Sequence, residues 1–285
     1  MPGNPYLAWV ERFASALADA AAIGPAPVQR GADPSDRPKA LIFAPHPDDE
    51  VIVGALPLRL LRECGYAVVN VAVTLGSRRD RRPERWRELE AACAALGFGL
   101  VTPDHNGLEG ISPDGRAQDE QRWLAAVAAT AAVLDAEQPQ IVFLPHQADW
   151  NQTHVGVHQL VVAAMSSLPN LRCQTVETEF WGAMVAPNLM VESTTADVAD
   201  LVAALSLHVG EVARNPYHLR LPAWMMDNVR RGAELVGGQG GSAPGFAFAT
   251  LYRLRAWRQG GFSDVIERGC VVSAADDLKT LFPIA

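Results

Sequence analysis

Cysteine is scarce in this chain. There are four in 285 residues, Cys64, Cys93, Cys173 and Cys270, far apart and with no Cys-x-x-Cys pair. That spacing gives no disulfide framework, and the expectation is reduced, buried thiols in a cytoplasmic protein. Long apolar runs are also lacking. None approaches the ~18 residues that a membrane-spanning helix needs. The N-terminal stretch MPGNPYLAWVERFASALADAAA has no basic leader and carries Glu11 and Asp19, so it reads as a helix rather than a signal peptide. Positive charge is in the minority, with 24 basic against 32 acidic residues and a formal charge of −8. An acidic chain of this kind is a poor candidate for binding nucleic acid or an anionic membrane. No glycine-rich phosphate loop follows the first apolar run, which sets aside a nucleotide-binding α/β protein.

What the chain does have is a hydrophobic content of 49%, enough for a full core. Residues 4–22 form one amphipathic pattern, followed by the Pro/Gly/Asp-rich linker GPAPVQRGADPSDRP. From Lys39 onward, apolar runs and helical patterns alternate. The strands expected are KALIFAP, YAVVNVAVTLG, GFGLVTP, PQIVFLPH and LRCQTVETEFWG. The helices expected between and after them are EVIVGALPLRLLREC, PERWRELEAACAALG, DEQRWLAAVAATAAVLDAE, THVGVHQLVVAAMSSL and ADVADLVAALSLHVGEVA. A loop with GGQGG and a closing strand GFAFATLYRLRAW end the chain. Such alternation implies βαβ units. The expected fold is a Rossmann-like α/β domain over 39–285, a mostly parallel sheet with helices on both faces. Residues 1–38 are expected as an N-terminal helical extension and linker.

In such sheets ligands bind beyond the carboxyl ends of the strands. Three polar clusters fall there: PHPDDE, GSRRDRRPERWRE and PHQADWNQTH. The first sets His46, Asp48, Asp49 and Glu50 within five residues, and repulsion among three carboxylates calls for a cation. A catalytic zinc takes three protein ligands and leaves one position for water. His46 and Asp49, three apart across a tight turn, can face one ion. A third ligand must come from His146, Asp149, His154 or His158. His154 and His158 lie four apart on one helical face. The metalloprotease pattern, however, requires Glu directly after the first His, and Val155 stands there. His158 reads as a structural imidazole. Arg85 and Glu88 are spaced as a helical ion pair or as substrate contacts. Asp104, after Pro103, suits a turn.

These residues resemble the PIG-L/LmbE-like zinc-dependent N-acetyl-sugar deacetylases. His46-Pro47-Asp48-Asp49-Glu50 matches that family's first motif at every position. Arg85, Glu88, Leu96 and Gly97 fit its Arg-x-x-Glu helix ending in Leu-Gly. The resemblance implies zinc, or another divalent transition metal, on His46, Asp49 and His154. It implies Asp48 as general base and Glu50 as its support, with Arg85 and Asp104 contacting substrate. The substrate implied is a small-molecule N-acetyl sugar or glycoconjugate. In the second motif only the last position, His154, matches. Asn151 stands where the family has a histidine that stabilises the oxyanion, and Asn offers a neutral hydrogen bond in its place. Phe248 sits near the place of a glutamate in the family's closing strand. Three functions are therefore carried forward: an N-deacetylase, an amidase of a sugar-thiol or antibiotic conjugate, and a metal-holding, catalytically impaired sugar binder.

Overall fold

A computed structural model describes residues 4–26 and 37–284. Residues 27–36 of the expected linker lie outside the described residues. Among the described residues nine strands form one sheet: β1 Lys39–Ala44, β2 Ala67–Ala72, β3 Gly99–Val101, β4 Ile141–Pro145, β5 Cys173–Thr178, β6 Leu189–Glu192, β7 Ala249–Arg258, β8 Gly261–Asp264 and β9 Cys270–Val272. Their order is β3-β2-β1-β4-β5-β7-β6-β9, with β8 against β7. Strands β1 to β5 are mutually parallel, whereas β7 runs antiparallel to β5, β6 and β8. The expected mostly parallel α/β fold is the one found.

The helices are α1 Leu7–Ala20, α2 Asp49–Ile52, α3 Leu56–Arg59, α4 Arg82–Leu96, α5 Pro113–Gln118, α6 Glu120–Glu137, α7 Gln152–Ser166, α8 Thr195–Ser206, α9 Val209–Arg214 and α10 Leu221–Leu235. Alternation along β1 shows why they cover both faces. Ala40 and Ile42 join a core with Leu89 and Ala92 of α4 and Leu201 of α8. Leu41 and Phe43 join a second core with Trp123 of α6 and Leu160 of α7. A strand apolar on both faces reads as one continuous apolar run, which KALIFA is. No described helix is long and apolar enough to cross a membrane. All four cysteines are unpaired, and Cys64, Cys93 and Cys173 are buried.

The structure corrects two expected helices. EVIVGALPLRLLREC is broken into α2, α3 and a wider turn over Leu60–Cys64. The break lies at Gly54, whose φ is +91°. The Tyr252 hydroxyl fills it, donating to Val53 O at 2.8 Å. A side chain at Gly54 would meet Thr250 Oγ1 and the Tyr252 hydroxyl, both buried. Gly54→Ala should therefore lower stability by roughly 2–4 kcal/mol, the sum of backbone strain and overpacking, measured by denaturant unfolding. An unchanged midpoint would mean that the loop relaxes freely. The second correction concerns ADVADLVAALSLHVGEVA, which splits into α8 and α9 around Leu207 and His208. The split turns the buried His208 side chain toward Glu50. Strands β6, β8 and β9 and helix α10 complete a C-terminal third that the sequence pattern did not resolve.

Candidate metal centre

The chain reverses direction of sheet growth between β1 and β4, so their carboxyl ends flank a crevice. PHPDDE leaves β1 there and the 146–154 segment leaves β4. His46, Asp49 and His154 each offer a donor atom within 4.8 Å of the others. Asp49 Oδ2 lies 3.4 Å from His46 Nδ1 and 3.3 Å from His154 Nε2. The two imidazole nitrogens are 3.3 Å apart. The three residues assigned from sequence as ligands thus converge, while His146 and His158 stay out. His158 Nδ1 sits 2.8 Å from Pro145 O, and His146 Nε2 2.8 Å from Gly182 O. Each is a structural contact of an imidazole with a backbone carbonyl.

The donor set suits a cation. Asp49 and His154 are fully buried, and Asp49 Oδ1 has no hydrogen-bond partner. Burial opposes charge on His154, yet the carboxylates of Asp49 and Asp149 push its pKa up to about 10. Burial likewise opposes ionisation of Asp49, but His154 and His46 hold its pKa below the usual carboxylate range. Two carboxylates thus demand positive charge at one point, which a metal can supply in place of a proton. Asp149 Oδ2 lies 3.4 Å from His154 Nδ1, the nitrogen facing away from the cluster. A carboxylate behind a ligand histidine orients the ring and raises its basicity. Asp149 is itself fixed by the N–H groups of Asn151 at 2.9 Å and Trp181 at 3.3 Å.

Asp48 precedes α2 with φ 118° and ψ −30°. A non-glycine residue there stores roughly 1–3 kcal/mol of strain and needs neighbours to hold it. Glu50 does so: its Oε2 accepts the Asp48 N–H at 2.8 Å, and its Oε1 lies 2.7 Å from His208 Nε2. The Asp48 carboxylate accepts the Tyr217 hydroxyl at 2.5 Å through Oδ2. Burial, then the charge of Asp49, raises the Asp48 pKa to about 7, against the pull of His208, Tyr217 and Arg85. A carboxyl poised near neutrality beside a metal set has the character of a general base.

Asn151 caps α7, its Oδ1 accepting the Thr153 N–H at 3.0 Å. That leaves its Nδ2 as a free donor. Arg85 Nη2 donates to Pro47 O at 3.0 Å, and its guanidinium fills the space beside Gly76, where φ is +84°. Glu88 does not pair with Arg85; its Oε1 accepts the Gly210 N–H at 2.8 Å. A cavity of about 470 Å³ is lined by His46, Asp48, Arg85, Asn151, Trp150 and Trp181 among others. Asp104 is not among its lining residues. It sits exposed in a turn, where its Oδ1 accepts the Asn106 N–H at 2.8 Å. Sequence reading missed Tyr217 and gave no role to His208. Neither lies in a motif, and each reaches the site from over 150 residues away.

Comparison with known proteins agrees with this geometry. The sequence profile of the PIG-L family, described as GlcNAc-PI de-N-acetylase, matches residues 41–165. No curated protein matches the chain. The N,N'-diacetylchitobiose deacetylase of Pyrococcus horikoshii has a similar fold, with 17% identity, TM-score 0.56, and 94% of this chain and 98% of that chain covered. A teicoplanin deacetylase in its zinc-inhibited form shares 16% identity at TM-score 0.58, covering 80% and 99%. The 4-carboxy-2-hydroxymuconate hydratase of Pseudomonas putida shares 17% identity at TM-score 0.58, covering 81% and 99%. One fold therefore serves both deacetylases and a hydratase, and the site has to decide between chemistries. The segment similar to the PIG-L family, residues 41–165, carries His46, Asp48, Asp49, Arg85, Asn151 and His154.

Proposed function

We propose that this chain is a metal-dependent N-deacetylase that hydrolyses the acetamide of an N-acetylated amino sugar or its conjugate. The observation that carries this reading is the His46–Asp49–His154 set, which lies in the segment similar to the PIG-L family, with His46 and the neighbouring Asp48 lining a cavity. The mixed nitrogen and oxygen donors favour zinc, or another divalent transition metal. Such an ion would polarise the amide carbonyl and make a coordinated water more acidic. The chain's own groups do the rest. Asp48 accepts the proton of the attacking water and returns it to the amine as the carbon–nitrogen bond breaks. Asn151 Nδ2 donates to the amide oxygen as charge grows there, a neutral bond weaker than an imidazolium would make. Glu50 and His208 keep the Asp48 backbone in its strained turn. The products are acetate and the free amino sugar.

The test is acetate release from a panel of N-acetyl sugars and glycoconjugates by protein loaded with zinc. Expected are turnover on at least one member, its loss in chelator, and its return on adding metal back. Saturable sugar binding with no acetate from any member would favour the impaired binder. Release of a longer acyl group alone would favour an amidase of another conjugate.

A further inference from the structure

Beyond the metal set, the cavity wall carries charge opposite to that of the chain. The chain is −8 overall, yet Arg78, Arg81, Arg85 and Arg214 all line this one cavity. Three of them surround a single carboxylate. Arg81 Nη1 donates to Glu211 Oε1 at 3.0 Å, Arg214 Nη2 to Glu211 Oε2 at 2.7 Å, and Arg85 Nε lies 3.8 Å from Glu211 Oε1. Arg81 also lies 3.8 Å from the more exposed Glu84, so three guanidiniums meet two carboxylates and one positive charge is left unmatched. Arg81 Nη2 and Arg85 Nε are buried without a hydrogen-bond partner. Arg214 leaves most of its fork toward solvent, its side chain 68% exposed. Glu211 is nearly buried and ionised; burial opposes its charge, but Arg214, Arg85 and Arg81 hold its pKa down. It therefore aligns the arginines rather than cancelling them.

We propose that this ring is a subsite for an anionic group on the substrate, a phosphate ester or a carboxylate. The inference rests on the deacetylase reading and narrows its substrate class to acetamido sugars that bear such a group. Neutral hydroxyls do not account for the arrangement, since they leave the excess charge unmatched in a recess. Planar guanidinium forks match the paired oxygens of phosphate and carboxylate. Glu211 and Arg214 lie outside the PIG-L segment, on α9, so the subsite joins the C-terminal third to the metal set. The exposed faces of Trp150 and Trp181 line the same cavity, where a sugar ring attached to the anion can rest.

The experiment measures binding to metal-loaded Asp48→Asn protein by calorimetry, and acetate release by the wild type. The probes are N-acetylglucosamine, its 6-phosphate, its 1-phosphate, N-acetylmuramic acid and inorganic phosphate. The expected result is that at least one charged sugar binds roughly tenfold or more tightly than the neutral one, as hydrogen bonds to charged groups allow. That preference should shrink as salt rises. It should fall roughly tenfold in Arg214→Gln, whose exposed side chain can change without loss of folding, and in Arg81→Gln. The phosphate and carboxylate arms show which anion is meant. Equal affinity for neutral and charged sugars, or a preference unmoved in both variants, overturns the proposal. An arginine-dependent preference with no acetate released by the wild type upholds the subsite and sinks the deacetylase reading. Acetate release with no preference for charge does the reverse.

Discussion

Asp48→Asn should retain its metal and lose roughly 10²–10⁴-fold of kcat, the usual worth of a positioned base. The amide keeps the shape of the carboxylate and can still meet the Tyr217 hydroxyl, but it cannot take a proton. The base works only when ionised, so activity should rise with pH through the Asp48 pKa. Burial and the charge of Asp49 set that pKa at about 7 in the metal-free fold, and a cation held by Asp49 lowers it. The acidic limb of kcat/KM should therefore lie at or below about pH 7 and vanish in the variant. Stability should move the opposite way. Asp48 ionises at 3.8 in the unfolded chain and at about 7 in the metal-free fold. Between those values the unfolded chain holds fewer protons, so stability falls as pH rises and stays lowered above about 7. The cost is on the order of a few kcal/mol. In chelator at pH 8, Asp48→Asn should melt above the wild type, and near pH 4 the gap should close. Near-normal kcat with metal retained would transfer the base to Glu211, the other carboxylate on the cavity wall. A melt lowered at both pH values would mean that the bond from Tyr217 outweighs the repulsion from Asp49.

What could be read in the sequence was what is local. His46, Asp48 and Asp49 stand within four residues after a strand whose apolar run is unbroken, so strand, turn and charge are visible together. The residues after β4 offered His146, Asp149, His154 and His158 alike, and only the resemblance to the PIG-L/LmbE family singled out His154, in the first turn of α7. The fold then does what alternation implies, setting both ends side by side. The pieces that complete the site are different in kind. Tyr217 reaches Asp48 across 169 residues and His208 reaches Glu50 across 158. Glu211 gathers Arg81 from 130 residues away. No period or motif announces such contacts, because they depend on where α9 and the turn after it come to rest. Asp149 was visible as an acid at a strand end, but its place behind His154 is a matter of side-chain direction. The broken helix after PHPDDE was misread for a similar reason. Its apolar spacing is helical, and only the packing of Tyr252 and Thr250 against Gly54 shows why the chain turns instead.

Metal loading gives the sharpest separation among the histidines. His154→Ala should lose the bound metal and bring turnover to background, whereas His158→Ala should keep both, because His158 is engaged with Pro145 O. Asp149→Asn should weaken metal affinity roughly 10–100-fold, as loss of a carboxylate behind a ligand histidine does. Elemental analysis after gel filtration, with zinc titration by calorimetry, measures all three. The same titration tests the charge argument. Without a cation His154 is held protonated, its pKa about 10 between Asp49 and Asp149. A metal binds only the neutral ring, so uptake at pH 7 should expel about one proton from this residue. Calorimetry in buffers of differing ionisation enthalpy counts that proton directly. Affinity should accordingly climb about tenfold per pH unit between about 7 and 10, and more steeply below 7, where Asp48 gives up a proton as well. His154→Ala should show neither the proton nor the slope. Full metal occupancy in His154→Ala, or uptake by the wild type with no proton released, would remove His154 from the ligand set and leave Asp49 and His46 to find their partner in His146 or His158.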